Sequence, residues 1–389
     1  MINRPDYIAA IEPFIDKPLV KILAGIRRCG KSTIFEMLRE ELLRRGIGED
    51  QIVCKRYTEM DIPENITAKQ MYDELTAAMA GKGHCYLLLD EIQEITGWEK
   101  AVNSLLERAD ADIYVTGSNS KLMSSEISTY LTGRYVSIPV YTLSFKEYLD
   151  FKADSTLSRR ELLEEYIRFG GFPIVALSEY DEQSAYQIVN GIYHTVVSRD
   201  IVKRHRINKQ DLFDRVVKYI IENMGKTFSA NSISTFLKSE HRKVSVESIY
   251  NYLRWLEQAF IIYPCERYDL QGKSILKTQE KYYLADVSLK YALLGYNRKM
   301  LDGAMENIVY LELKRRGYDV YIGKNDTKEI DFVATRRDER IYVQVCVRIP
   351  EASDREVGNL MEIRDHYPKY VVTLNEMDTG IEDGIRIVH

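Results

Sequence analysis

Leu19-Val20-Lys21-Ile22-Leu23-Ala24 runs directly into Gly25-Ile26-Arg27-Arg28-Cys29-Gly30-Lys31-Ser32. Ser32–Arg45 follows, with Phe35, Leu38 and Leu42 on one helical face and Gly46 as its stop. The octapeptide satisfies G-x-x-x-x-G-K-[ST] completely, and the apolar strand before it and the amphipathic helix after it give the pattern its meaning. Gly25 and Gly30 let the backbone turn so that amide N–H groups between Gly25 and Thr33 converge on one concavity. The helix that begins near Lys31 adds the positive end of its dipole. Such a loop cradles nucleotide phosphates through Gly25, Ile26, Arg27, Arg28, Cys29 and Gly30. Lys31 is expected to reach the β- and γ-phosphates and the Ser32 hydroxyl to ligate Mg²⁺, with Thr33 beside it.

Outward from the loop, short apolar runs alternate with charged helical stretches. Leu19–Ala24, Ile52–Cys54, Tyr86–Leu89, Ile113–Thr116 and Tyr135–Val140 read as strands buried on both faces, which predicts an α/β layered domain. Tyr86–Leu89 ends in Asp90 and Glu91. Asp90 is placed to hold Mg²⁺ through its waters. Glu91, one residue on, is placed to act as general base toward the attacking water. Acids are also favoured at a helix N-terminus for purely structural reasons. Asp112–Thr116 ends in Gly117-Ser118-Asn119-Ser120, so Asn119, Ser118 or Thr116 is expected between the loop and Glu91, unless these are turn residues only. Arg134 is a candidate transition-state arginine, acting in cis or from a neighbouring subunit; a solvated or salt-bridged arginine is the alternative.

GIRRCGKST, LLLDEIQEITGWE, TGSNS and LTGRYVSIPVYTLSFKEYL, with the later Gly170-Gly171-Phe172-Pro173 and YHTVVSRDI at Tyr193–Ile201, resemble AAA-type P-loop ATPases of bacteria and archaea that carry a C-terminal domain of unknown function. The resemblance covers nearly the whole chain. It implies an AAA-like core, a helical extension, a winged-helix segment and a restriction-endonuclease-like C-terminal fold. It also implies ATP with Mg²⁺ at Lys31, Ser32, Asp90 and Glu91. No guanine-reading motif is evident, and only the resemblance favours adenine.

The chain has 389 residues, 45% hydrophobic and 29% charged, a composition that argues against general disorder. Its net charge of −5 excludes a basic coat over the whole protein, so any nucleic-acid site is a local patch. The expected division is 1–150, the P-loop core; 151–209, a helical extension; 210–285, a winged helix-turn-helix; and 286–389, a nuclease-like α/β domain. In 210–285, three helices (Leu212–Asn223, Ala230–Lys238, Val246–Ala259) precede strands Ile261–Arg267 and Lys281–Ala285. Arg199–Lys243 holds eleven Lys and Arg against five Asp and Glu, with Lys203, Arg204, Arg206 and Lys209 clustered and Arg242 and Lys243 further on. Such a patch suits duplex phosphates, while Ser245, Ser248, Tyr250, Asn251 and Arg254 are available to a groove. A solvated face or a protein-packing role is the alternative.

Glu306, Asp331 and Gln344-Val345-Cys346 resemble a PD-(D/E)xK nuclease layout in which Glu and Lys are expected where Gln344 and Cys346 stand. Because a thiol does not supply a lysine's charge, the nuclease-like domain is expected to be inactive. Cys29, Cys54, Cys85, Cys265 and Cys346 form no CxxC pair and read as reduced thiols. Cys29 in the loop is read as a small permissive residue. The N-terminus lacks a signal-peptide core and no run reaches membrane-helix length, so a cytoplasmic protein without a membrane partner is expected. The leading expectation is an ATP-hydrolysing switch. The alternatives are a DNA-binding regulator that uses ATP only as ligand, a Mg²⁺-dependent nuclease, and an adaptor ATPase that engages a protein partner or a second copy.

Overall fold

The computed structural model describes residues 2–58, 62–63, 65–123, 125–207, 209–239, 241–242, 244–272, 274–297, 301–349 and 355–389. Lys243 of the basic stretch lies outside them. The sequence around 353–366 reads as a final helix; Ser353 also lies outside the described residues, within which that helix spans Arg355–Met361. Contacts divide the chain into two units, residues 1–153 with 258–260, and residues 154–257 with 261–389.

The first unit is built on five strands: β1 (Val20–Ala24), β2 (Ile52–Arg56), β3 (Cys85–Asp90), β4 (Ala111–Gly117) and β5 (Tyr135–Pro139). Their order is β2-β3-β4-β1-β5, and every neighbouring pair is parallel. Ala24 stands opposite Gly117 on one side and Pro139 on the other. All residues of β1 and β3 are buried, which is why those sequences show no polar alternation. Within β1, Lys21 is the exception in composition, not in burial. Its ammonium pairs with Asp112 of β4, which also accepts from the Tyr114 hydroxyl at 2.6 Å and the Asp16 amide at 2.9 Å. A charge inside a sheet persists only when paired in this way. Burial pushes the Lys21 amine below its ordinary value, against the pull of Asp112.

In the second unit, helices Arg159–Phe169 and Glu182–Val196 start at side-chain caps, Ser158 and Asp181. A π-helical turn at Val197–Val202 continues the second of them. Helices Gln210–Glu222, Ala230–Ser239 and Val246–Gln258 lead into the hairpin β6 (Ile262–Asp269) and β7 (Ser274–Leu284). Helix Leu301–Arg315 follows, then the antiparallel strands β8 (Asp319–Asn325), β9 (Lys328–Arg336) and β10 (Glu339–Cys346). Helix Arg355–Met361 then crosses to β11 (Lys369–Thr373), which lies parallel to β10. β12 (Gly380–Glu382) and β13 (Ile385–Val388) complete one eight-stranded sheet, ordered β12-β13-β11-β10-β9-β8-β6-β7. The hairpin expected in 210–285 is therefore part of the same sheet as the strands of 286–389, joined where Arg267–Asp269 pairs with Ile322–Lys324. Among the described residues, no helix is long and apolar enough to cross a membrane.

The Gly170-Gly171-Phe172-Pro173 turn is locked by Asp286. Its carboxylate accepts from the Gly171 amide at 2.8 Å, and from the Ser288 amide at 3.0 Å and hydroxyl at 2.5 Å. Gly170 has φ +75°, and a Cβ there would lie 1.8 Å from Asp286 Oδ1. Gly295 has φ +83° with open space around the same position. Gly170→Ala is therefore expected to lower stability by about 2 kcal/mol or more and Gly295→Ala by about 1 kcal/mol. Urea unfolding of the two variants checks this; equal losses would remove the Asp286 clash as a cause.

Candidate functional site

The loop Gly25–Gly30 leaves β1 at the edge of the sheet where β3 and β4 also end. Gly30 has φ +103° and stands at the N-cap of helix Lys31–Arg44 without offering a side-chain cap, so first-turn amides remain available to an anion. Gly25 is required for a different reason: a Cβ there would lie 1.9 Å from the Val140 carbonyl oxygen. Lys31 is buried and its ammonium donates to the carbonyls of Gly25 at 2.9 Å and Ile26 at 3.1 Å, 3.9 Å from Glu91.

Asp90, at the tip of β3, is 4% exposed. It accepts from the Ser32 hydroxyl at 2.7 Å, from the Arg56 Nε at 3.1 Å, and from the Thr116 hydroxyl. The Thr116 oxygen in turn accepts from the Glu91 amide at 3.0 Å. β4 lies between β1 and β3, and so carries Thr116, Ser118 and the buried Asn119 into the gap. Glu91 sits in the left-handed region, φ +54°, a strained conformation for a non-glycine residue and one that clusters at functional sites. Its carboxylate accepts from the Ser118 hydroxyl at 3.2 Å and from the Gln93 amide, with Arg27 at 3.9 Å. Burial pushes the Glu91 carboxyl up, but Lys31, Arg27 and these two hydrogen bonds outweigh it and leave the group below its ordinary range.

The loop, Lys31, Ser32, Asp90, Glu91 and Asn119 thus share one edge. Arg134 does not. It precedes β5, and its carbonyl accepts from the Val20 amide at the opposite end of the sheet. Counting back along the strand, it stands about 20 Å from Gly25. Its guanidinium donates to Asn103 at 2.9 Å and Glu107 at 2.6 Å. Within one chain Arg134 is therefore not brought to this cluster, and its guanidinium is salt-bridged to Glu107. Cys29 is fully buried and burial raises its thiol.

Gln93, Arg56 and Arg4 escaped the sequence reading. Gln93 follows Glu91 by two residues, and proximity to the tandem acids was the available signal. Arg56 ends a strand next to β3. Arg4 lies outside every motif, and only its distant partner Glu147 carries a local signature, the capping box Ser144-x-x-Glu147.

In the second unit, Glu306, Asp331 and Gln344 do come together, with an unforeseen member. Lys281 of β7 reaches Glu306 at 3.3 Å and Glu329 at 2.8 Å, and Tyr283 donates to Glu306 at 3.1 Å. Asp331 accepts from the Val345 amide at 2.8 Å, and its own amide donates to Gln344 at 3.3 Å. Burial, then the charge of Glu306, drives the Asp331 carboxyl well above its ordinary range. Cys346 is buried and its thiol is pushed up to about 11. Among the described residues, no three His, Cys, Asp or Glu side chains are grouped to hold a metal ion. In the basic stretch, Lys203, Arg204, Arg206 and Lys209 are exposed, and Arg242 pairs with Asp211. His205 stacks on Trp255 at 4.3 Å, which joins the segment carrying Lys203, Arg204 and Arg206 to helix Val246–Gln258, on which Tyr250 and Arg254 are exposed.

Residues 17–149 match the family model described as an AAA domain, and residues 160–299 match a domain of unknown function (DUF8612). An uncharacterized protein of Haemophilus influenzae is 37% identical over 392 residues, covering 100% of this chain and 97% of that one. An uncharacterized protein of Methanocaldococcus jannaschii is 32% identical, over 87% of this chain and 77% of that one. Among solved structures, a Walker-type ATPase of Pyrococcus abyssi superposes with a TM-score of 0.53 at 15% identity, covering 75% of this chain and 96% of that chain, a likeness of fold alone.

The lowered Glu91 carboxyl has a consequence for stability. Its contribution is present above the ordinary value of 4.5 and is lost as pH falls through the lower folded value. Glu91→Gln is expected to show a shallower loss of stability below that pH than the unsubstituted chain, read as urea midpoints across the acid range. Parallel curves would contradict the ion-paired carboxylate.

Proposed function

Since the chain carries an AAA domain and belongs to one family with an uncharacterized protein of Haemophilus influenzae, we propose that it binds and hydrolyses ATP with Mg²⁺ and couples nucleotide state to the second unit. The observation that carries this reading is the linked set Ser32–Asp90–Thr116–Glu91 beside a helix N-terminus that no side chain caps. The donor set fits magnesium: a hydroxyl and a carboxylate are hard oxygen ligands, and this ion takes few protein ligands when phosphates complete its shell. When bound, Mg²⁺ supplies positive charge to the phosphate oxygens.

The rest is the work of the chain. First-turn amides and Lys31 bind the phosphates, and Lys31 exchanges its loop carbonyls for stronger anionic acceptors. Asp90 fixes the Ser32 hydroxyl. Glu91, kept ionised by Lys31 and Arg27 and aimed by Gln93 and Ser118, takes the proton of the attacking water. Asn119 is a further polar group for the water or the γ-phosphate.

The topology supports modular partners in the second unit. Three helices before a hairpin support the winged-helix reading, and a helix, three antiparallel strands, a helix and a parallel strand support the nuclease-like one. Lys281 supplies the positive charge that Cys346 lacks, but its ammonium already engages Glu306 and Glu329, the carboxylates a metal ion would need, and this supports the inactive reading. The cations gathered around the His205–Trp255 stack favour duplex DNA as ligand, and with it a second reading: an ATP-liganded DNA-binding regulator with little turnover.

Lys31→Ala is expected to weaken Mg·ATP binding by at least about tenfold. Glu91→Gln is expected to keep binding but lose about 10²–10⁴-fold in phosphate release. Equal turnover in Glu91→Gln and the unsubstituted chain would refute the base. In a separate measurement, duplex binding is expected to weaken steeply as salt rises, and in Arg204→Ala/Arg206→Ala. Salt-independent binding would move the partner from DNA to protein, and ATP-dependent duplex binding without turnover would select the second reading.

A further inference from the structure

The chain's first turn reaches the phosphate loop through Arg4, which is 2% exposed. Its Nε donates to Glu147 Oε1 at 2.7 Å and a terminal nitrogen to Oε2 at 3.1 Å, a fork-on-carboxylate pair. The other terminal nitrogen donates to the Cys29 carbonyl at 2.8 Å. The guanidinium also donates to the Tyr141 carbonyl at 3.0 Å and lies 4.5 Å from the centre of the Tyr7 ring. Glu147 is itself fixed: its carboxylate accepts from the Ser144 amide at 2.8 Å, and its amide donates to the Ser144 hydroxyl at 3.1 Å.

The Cys29 carbonyl shares a planar trans peptide with the Gly30 N–H, and in such a unit the two groups point in opposite directions. Holding the carbonyl on one side therefore aims the N–H at the other. This peptide follows Arg28 at φ +66° and enters Gly30 at φ +103°, a stretch where glycine tolerates either orientation. A flip would turn an oxygen, not an amide, toward a phosphate.

We propose that Arg4, oriented by Glu147, is a positioning residue for nucleotide, locking the Cys29–Gly30 peptide with its N–H directed away from Arg4 and toward the phosphate site. This rests on the nucleotide-binding reading above. Arg4 touches no phosphate; it acts through the backbone it holds. Because the lock serves bound substrate and transition state alike, its loss raises KM and leaves kcat nearly unchanged.

The test is a fluorescent ATP analogue with Mg²⁺ for binding, and ATP turnover for KM and kcat, on the full chain and on Arg4→Lys, Arg4→Ala and Glu147→Gln. Lysine keeps the charge but lacks the fork that spans Glu147 and Cys29 together. Arg4→Lys is expected to raise Kd and KM about tenfold, with kcat within about threefold. Lys21→Met, which breaks a buried pair in the same unit far from the loop, is the reference for lost stability alone. It is expected to lower the thermal midpoint without this rise in KM. If Lys21→Met raises KM as much, or if Arg4→Lys binds like the unsubstituted chain, the lock is refuted. If the unsubstituted chain binds no Mg·ATP, the nucleotide reading itself fails, and the lock with it. Should Arg4→Ala not fold, Arg4→Lys and Glu147→Gln decide.

Discussion

Parallel pairing of β1 with β4, and of β4 with β3, is the constraint from which the first unit follows. Parallel strands end on the same side, so every residue that leaves a strand tip there meets the others. Ala24 opposite Gly117 sets the loop and the Thr116–Asn119 segment level. The same sheet order puts Asp90 and Glu91 one strand further on. A one-residue slip would invert each strand's faces and separate the Ser32 hydroxyl from Asp90.

Around that edge, charges are paired before any ligand arrives. Lys31 rests on its own loop, Asp90 is held from three sides, and Glu91 faces two cations. A polar group left bare at this depth would cost about 1–3 kcal/mol or more. The site is therefore prearranged, and the proposed nucleotide would exchange internal partners for external ones.

The strands of the first sheet were legible because burial on both faces writes unbroken apolar runs, and the phosphate loop because its spacing is tied to one backbone shape. Lys21 shows where that legibility ends, since its compensating charge lies ninety-one residues away. The reason for Gly25 was likewise hidden: not a left-handed turn but the nearness of Val140. Arg134 is less legible, because its neighbours in sequence form a plausible motif, whereas its location depends on which end of β5 it occupies. In the second unit, helices and hairpin could be read from periodicity. That the hairpin would join β8, and that Lys281 would enter a carboxylate cluster built from another helix and strand, are facts of tertiary pairing with no local trace.

The junction of β6 with β8 has a mechanical meaning. Hydrogen bonds between Arg267–Asp269 and Ile322–Lys324 join the hairpin to the C-terminal strands, so the two are held by backbone pairing and not by the connecting chain alone. The strand that buries Lys281 and the strand that carries Glu329 and Asp331 are thus parts of one hydrogen-bonded sheet.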